Sequence, residues 1–472
     1  MGYLMALSIV CTMLMISRVL SFVYQQVRPS KSQLNLLLRK GNHFTTDARR
    51  WWYEELGSPK FVCAPMVDQS ALAFRQLVRR YGVDLAYSPM LNCRVVAQGK
   101  AGYLSSQLST REDDSPLAIQ LAGSESDIVK SAVSIILQQA QPCIFDMNLG
   151  CPQRIASKGN YGAFLFERDL PAARMVVKTL VEEFNIRVSV KIRLLQDTKA
   201  TIQACQQLVD VGACLVTVHG RNRLQNKQLC GAADWEAMTQ VLNALKSQVP
   251  LIANGGVSSR NDAFQLLDLG FDAVMSSEAL LDNPALFYNS THPSRRDLCS
   301  EYLDIFQENK DIYNDASPFS FVRAHTFKFL HGSLSAFPEI RNFLAEEASC
   351  VDDVRYIIAR LDQLDPERKF DLIGSSKQDH PSFDPRLSWY FRYRLDEIVE
   401  SSSDHSNPLY SRPINIAEEE KDFNVEKVKY KYVHQERRHR HQQDNNNNEK
   451  EENNKQQESI SASSSSHFSS SS

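Results

Sequence analysis

Short runs of apolar, often β-branched residues recur along the chain at 61–65, 85–88, 117–121, 144–148, 188–192, 215–219, 251–254 and 273–276. Each run is almost continuously hydrophobic, the pattern of a strand covered on both faces within a parallel sheet. Between the runs, apolar positions recur at helical spacing. Ala71, Phe74, Val78 and Tyr81 share one face, as do Ile128, Val129, Ala132, Val133 and Ile136. A third stretch opens with Pro171 and carries Met175, Val176, Leu180 and Phe184. Gly212 and Gly270 close such stretches, as helix-ending glycines do. Eight strands with mostly helical crossovers predict an α/β fold, a (β/α)8 TIM barrel, over an open sheet. The barrel is expected over 51–290. Strand patterning stops near 291, and Leu344, Val351, Val354, Ile357, Ile358 and Leu361 then repeat at helical spacing, predicting a helical domain over 291–364. Beyond it periodicity is lost, and Asn and Ser runs at 445–448 and 463–466 predict a largely disordered tail over 365–472. Removing 367–472 is therefore expected to leave activity largely intact.

The first 50 residues form an extension. Residues 3–24 are apolar and the flanking sequence is basic, with no acid before Asp47. A membrane anchor, a mitochondrial presequence and an extension of the reading frame without function all fit. The location expected for the protein is cytoplasmic or nuclear, with membrane or mitochondrial targeting as the alternative. A formal net charge of −3 over 472 residues excludes a uniformly basic nucleic-acid coat, so any RNA contact must come from local patches. One basic run, 427–441, is read as a solvated tail in preference to an RNA contact. The 10 cysteines include no C-x-x-C pair and no His/Cys cluster with zinc spacing, so no metal is expected.

Chemistry concentrates where the strands end. The runs close on Pro65-Met66, Gln120, Asn148 with Cys151 just beyond, Lys191 with Arg193, His219, Asn254-Gly255-Gly256 and Ser277-Glu278. In such a barrel these ends converge on one mouth, where active sites form. A flavin mononucleotide has matching needs: hydrogen-bond partners along its pyrimidine edge, a cation near N1 and O2, and backbone and positive charge for its phosphate. Gln120 can pair with that edge and Lys191 can supply the cation. Gly255 and Gly256 permit close backbone approach to a phosphate.

The segments FVCAPMVDQS, PLAIQLAGS, DMNLGCPQRIASKGNYGAFL, VSVKIRLL, VTVHGR, ADW, PLIANGGV and NPALF follow one another across 61–287. In that order they resemble the successive motifs of tRNA-dihydrouridine synthases, and most of all the eukaryotic branch acting at positions 16 and 17 of the D loop. The resemblance implies an NAD(P)H- and FMN-dependent oxidoreductase that reduces the C5–C6 double bond of uridine. It implies that Pro65, Met66, Gln120, Lys191, His219, Asn254, Gly255 and Gly256 contact FMN and that Ser277-Glu278 approaches its phosphate. Asn148 is implied to help hold the uracil and the flavin face. The resemblance further implies that hydride goes to C6 of the base and that Cys151 protonates C5. Gly150, Pro152, Gly159 and Gly162 around Cys151 suit a mobile lid. Many members carry Gly-Arg where this chain has Ser277-Glu278, so backbone amides are expected to take over there.

A uridine must be splayed out of its tRNA to reach a barrel mouth. Lys158, Arg193 and Arg221 are candidates to grip it, and Arg323, His325 and Lys328 of the helical domain are candidates for a shared tRNA-binding face. The partners expected are thus tRNA and NADPH (or NADH), with no obligate protein partner. Two other functions fit the residues: an FMN barrel acting on a free pyrimidine, and a non-catalytic tRNA-binding protein.

Overall fold

The eight apolar runs become eight strands because each buries both faces, one in the barrel and one under helices. A computed structural model of the chain describes residues 47–100, 102–226, 230–313 and 319–394. Its strands are β1 (Phe61–Cys63), β2 (Leu85–Tyr87), β3 (Leu91–Asn92), β4 (Leu117–Ala122), β5 (Ile144–Leu149), β6 (Val188–Arg193), β7 (Ala213–His219), β8 (Leu251–Asn254) and β9 (Ala273–Ser276). All pairings between them are parallel. β1 pairs with β2 and β9, and β2 with β4, so the sheet closes on itself. Eight strands make the TIM barrel. The two-residue β3, too short to leave an apolar signature, is added beside β4.

The crossovers are helices with the expected buried faces. Asp169, Asp197 and Asp234 cap three of them by accepting backbone N–H groups of the first turn. Helix Leu170–Phe184 departs from expectation in one respect: Met175 is 56% exposed, and the buried face is Ala173, Val176, Val177 and Leu180. The i, i+3, i+4, i+7 rule selects Val177 over Met175 once Ala173 sets the phase. Gly212 and Gly270 follow their helices at φ +107° and +103°.

The folded part matches the expected start near 51, with Ala48 three residues ahead of it, and extends past the expected end at 364. Ala48, Trp51 and Trp52 are buried in the core although they precede the first strand. At the other end, residues 365–394 are folded rather than tail. Arg296, fully buried, pairs with Asp365 at 2.6 Å and Asp371 at 3.7 Å, and Ser388 and the Trp389 backbone donate to Asp282 at 3.0 and 2.7 Å. This segment carries no apolar periodicity because charges and turns hold it. The helices of 291–364 form as expected, with Leu344, Val354, Ile357, Ile358 and Leu361 buried. They dock on barrel helix Leu72–Arg80, where Arg80 and Tyr81 reach Glu301 at 2.8 and 2.6 Å. The apolar stretch 3–24 and the basic run 427–441 lie outside the described residues. Among the described residues, no helix is long and apolar enough to cross a membrane, and no group of three metal-ligating side chains occurs.

Candidate active site

Side chains alternate along a strand, so residues two apart share a face. Register then aligns polar residues across neighbouring strands in rows. Gln120, Asp146 and Ser189 face one another on β4, β5 and β6. Two residues further on, Asn148 aligns with Lys191 and Thr217. Two further again, Arg193 aligns with His219 and Asn254. Lys191 Nζ donates to Asn254 Oδ1 at 2.8 Å. Because β7 lies between β6 and β8, this bond crosses the barrel interior. The rows therefore line the inside of the barrel toward the C-terminal strand ends.

The first row begins a hydrogen-bond chain that runs on into the second. Ser189 Oγ donates to Asp146 Oδ1 at 2.6 Å, and Gln120 Nε2 donates to Asp146 Oδ2 at 2.8 Å. Asn148 Nδ2 donates to Gln120 Oε1 at 2.9 Å and lies 3.0 Å from Met90 Sδ. Asn148 Oδ1 accepts from the backbone N–H groups of Gly150 and Cys151 at 3.2 and 3.0 Å. Asn148 is thus a holder of the Cys151 turn, and only the N–H lying on Met90 can turn to a ligand. Burial lifts the Asp146 carboxyl to about 6, against Ser189, Gln120 and Lys191, which favour its charge.

Cys151 is half-buried beside Tyr161, Phe164 and Ala156. Burial raises its thiol pKa, with backbone at Gln153 and the charges of Arg193 and Lys191 opposing. At neutral pH it keeps its proton. The turn is tied down: Gly162 N–H donates to Asn148 O, Ala163 N–H to Cys151 O, and Arg193 Nε to Gly150 O. At Gly162, φ +68°, a Cβ would lie 2.7 Å from Cys151 O, so only glycine fits. At its Cys151 end, the expected lid is a hydrogen-bonded turn.

Cations gather beside this turn, along the next strands of the mouth. Burial and Arg193 lower Lys191 to about 8. His219 is held neutral, first by burial and then by Arg193, Lys191, Arg221 and Arg394. Arg221 is buried, with Nε on the carbonyls of Cys230 and Gly231 at 3.1 and 2.9 Å, and its Nη2 meets no protein partner. Gly255 (φ +103°) and Gly256 (φ +74°) turn the chain sharply, and a Cβ on Gly255 would fall 2.7 Å from the His219 ring. Pro65 and Met66 are half-buried beyond β1, where Ser70 Oγ accepts the Met66 N–H at 3.0 Å. Half-buried Ser277 precedes the short helix Glu278–Asp282, and the Glu278 carboxylate pairs with buried Arg394.

The candidates for gripping RNA separate sharply. Lys158 is exposed at the end of helix Arg154–Lys158 and free to meet a phosphate. Arg193 is committed to the carbonyls of Gly150, Asn222 and Gln225. The helical trio does not share a surface. His325 is fully buried, stacked on Phe74 at 4.7 Å and against Tyr302, with burial holding it neutral. Arg323 donates to Ala348 O and lies over Phe319. Lys328 bonds Gln69 at 2.7 Å and sits 5.3 Å from the Trp389 ring centre. His325 is thus corrected to a core residue, because its helix turns that face onto the barrel.

Asp146, Ser189, Met90 and Arg394 were missed in the sequence. The first two carried a signal: in DMN and SVK, a polar residue stands two before Asn148 and Lys191. Met90 and Arg394 carried none, since only folding brings them to the mouth.

The sequence pattern of dihydrouridine synthases matches residues 62–355, most of the described chain. The chain belongs to the dihydrouridine synthase family. Among its relatives, a tRNA-dihydrouridine(16/17) synthase of Schizosaccharomyces pombe is 37% identical over 306 residues, 63% of this chain and 75% of that one. A tRNA-dihydrouridine(16/17) synthase-like protein of Mus musculus is 37% identical over 299 residues, covering 63% of this chain and 60% of its own length. A tRNA-dihydrouridine(20a/20b) synthase-like protein of Homo sapiens is 36% identical over 230 residues, 48% of this chain and 70% of that one. Identity barely separates the two kinds of synthase. The length matched is greater for the 16/17 kind. For this family the barrel mouth is the natural seat of the reaction.

Proposed function

We propose that this dihydrouridine synthase reduces the C5–C6 double bond of uridine at positions 16 and 17 of the tRNA D loop, with FMN as cofactor and NADPH as reductant. The observation that carries the reading is a protonated, half-buried Cys151 thiol held at the barrel mouth, with Lys191 on the neighbouring strand. The longer match to the 16/17 kind of relative supports the choice of positions.

The mouth suits an anionic flavin nucleotide. Lys191, Arg193, Arg221 and Arg394 surround neutral His219, and the Arg221 Nη2 and Arg394 Nε atoms are buried without protein partners. Glu278 answers the charge of Arg394, but the buried Arg221 Nη2 has no partner, and burying charge so is costly; a phosphate would supply a counter-ion there. Lys191, Asn254, Gln120 and His219 would hold the ring system, while Arg221 and the Gly255-Gly256 turn would lie toward the phosphate. Pro65, Met66 and Ser277 would close its edges. The cofactor when bound supplies hydride chemistry. The chain's own contribution is to bind and orient the base, exclude water, and deliver the Cys151 proton to C5. General-acid delivery of this kind is worth ~10²–10⁴-fold. A neutral His219 can accept or donate one hydrogen bond without adding charge. Lys158, exposed at the end of its helix, would meet an RNA phosphate as the base enters.

The test is to incubate the full chain with FMN, NADPH and unmodified tRNA and to map dihydrouridine by position. Product at 16 or 17 is expected. Product elsewhere overturns the positions. Absence of product, with turnover of a free pyrimidine, overturns the tRNA reading in favour of a small-molecule reductase.

A further inference from the structure

A chain of hydrogen bonds has a direction only if its ends differ in what they can do. The chain beneath the candidate site has two such ends. At one stands Asp146, fully buried, whose ionised carboxylate can only accept. At the other stand the backbone N–H groups of Gly150 and Cys151, which can only donate. Between them lie two amides, Gln120 and Asn148, each able to face either way. Asp146 forces Gln120 to present Nε2 to it, which turns Oε1 toward Asn148. Asn148 must then offer Nδ2 to Gln120 and Oδ1 to the Cys151 turn, as observed at 3.0 Å. Both ends demand the same orientation, so the assignment does not depend on how either amide is drawn.

We propose that Asp146 is a positioning residue: its carboxylate sets the orientation of the Gln120 and Asn148 amides and, through them, the turn that carries Cys151. The inference rests on the reading of Cys151 as proton donor only for its effect on rate, not for its effect on the turn. Ser189 Oγ holds the second carboxylate oxygen, so the group cannot rotate away. The other titratable groups facing Asp146 are Lys191, whose charge favours the ionised form, and the buried Tyr87 phenol on β2.

If the carboxylate takes a proton, it becomes a donor along one edge. Gln120 can then invert to offer Oε1 to it, Asn148 must follow, and Nδ2 comes to face the Cys151 N–H, donor against donor. The turn loses its acceptor. The sign follows: the ordered arrangement is complete at high pH and is lost as pH falls through about 6. No substitution at Cys151 itself is needed to misplace it.

Two variants test this. Asp146→Leu removes the acceptor. Asp146→Asn stands in for the protonated carboxyl at every pH: it is neutral, does not titrate and donates along one edge, so the inverted orientation of Gln120 is open to it as it is to the acid form. The first readout needs no catalysis: hydrogen exchange of the Gly150 and Cys151 amides at one fixed pH above 7. Exchange at least tenfold faster in Asp146→Leu than in the wild type is expected, with Asp146→Asn lying between the two. The second readout is the pH profile of dihydrouridine formation. The wild type is expected to lose rate below about 6, and Asp146→Asn to show no such limb, running across the same range at about the rate the wild type reaches once protonated. Unchanged exchange in a folded Asp146→Leu overturns the proposal, and so does an acid limb that survives in Asp146→Asn. Should Asp146→Leu fail to fold, the Asp146→Asn profile decides alone. A wild type that makes no dihydrouridine would sink the proposed reaction while leaving the exchange result to judge Asp146.

Discussion

The inner rows of the barrel and the helix Phe319–Phe329 began as equal sources of candidate residues and came out differently. In the rows, Gln120, Asn148, Lys191, His219 and Asn254 converge on one mouth. On the helix, Arg323, His325 and Lys328 turn to three environments: a carbonyl of the next helices, the core, and the contact with Gln69 and Trp389. The difference is one of constraint. A closed barrel has one inside, and the period of two assigns each strand residue to it or to the helix side. A helix has a continuous surface, and which part is covered depends on what docks there. His325 is the instructive case, since a histidine among basic residues reads as an RNA contact until Phe74 is found against it.

The sharpest way to break the contrast is to remove the donor at the mouth. Cys151→Ala is expected to cut dihydrouridine formation by about 10²–10⁴-fold while leaving bound FMN and NADPH oxidation in place. Normal product yield would end the acid assignment. Next in size is the C-terminal segment. The folding of 367–394 changes what removal of 367–472 should do, because ending the chain at 366 strips Asp371 from Arg296 and Arg394 from Glu278. Arg296 keeps Asp365 and Glu278 is partly exposed, so the loss comes mostly from the buried Leu372, Phe383 and Tyr390 side chains and from the bonds to Asp282. That truncation should lower the unfolding midpoint and the activity together, whereas a chain ending at 398 should behave as the full protein. Equal melting curves for the two would show that the segment is not part of the fold.

A smaller effect concerns Lys191. Its ammonium is present below about 8 and neutral above it, so affinity for an anionic flavin should fall as pH rises through that value. Fluorescence titration of FMN from pH 7 to 9 would read this, and Lys191→Met should flatten the dependence. The least effect is expected from His325→Phe. The stack on Phe74 and the neutral ring make this a nearly volume-conserving swap, within about 1.5 kcal/mol of wild type. Its tRNA affinity should be unchanged, while Lys158→Ala should weaken binding and reduce the salt slope by about one. A loss of affinity in His325→Phe comparable to that in Lys158→Ala would erase the distinction between the two regions.

Pattern alone, though it missed the two-residue β3 and the exposure of Met175, determined the eight barrel strands, most of the covered faces of the crossover helices and the residues at the strand ends. These follow from burial on two faces and from periods of two and 3.6, which local sequence records directly. Only the tertiary structure decided what those residues do to one another. Asn148 became a holder of Cys151, Arg193 a clasp on loop carbonyls, and Gly255 a neighbour of the His219 ring. Asp146 and Ser189 were visible in the period of two, yet their value lay in a cross-strand register that no single segment contains. Arg394 was beyond reach altogether. It lies 116 residues from Glu278 along the chain, and a charge pair at that separation leaves no trace in local periodicity.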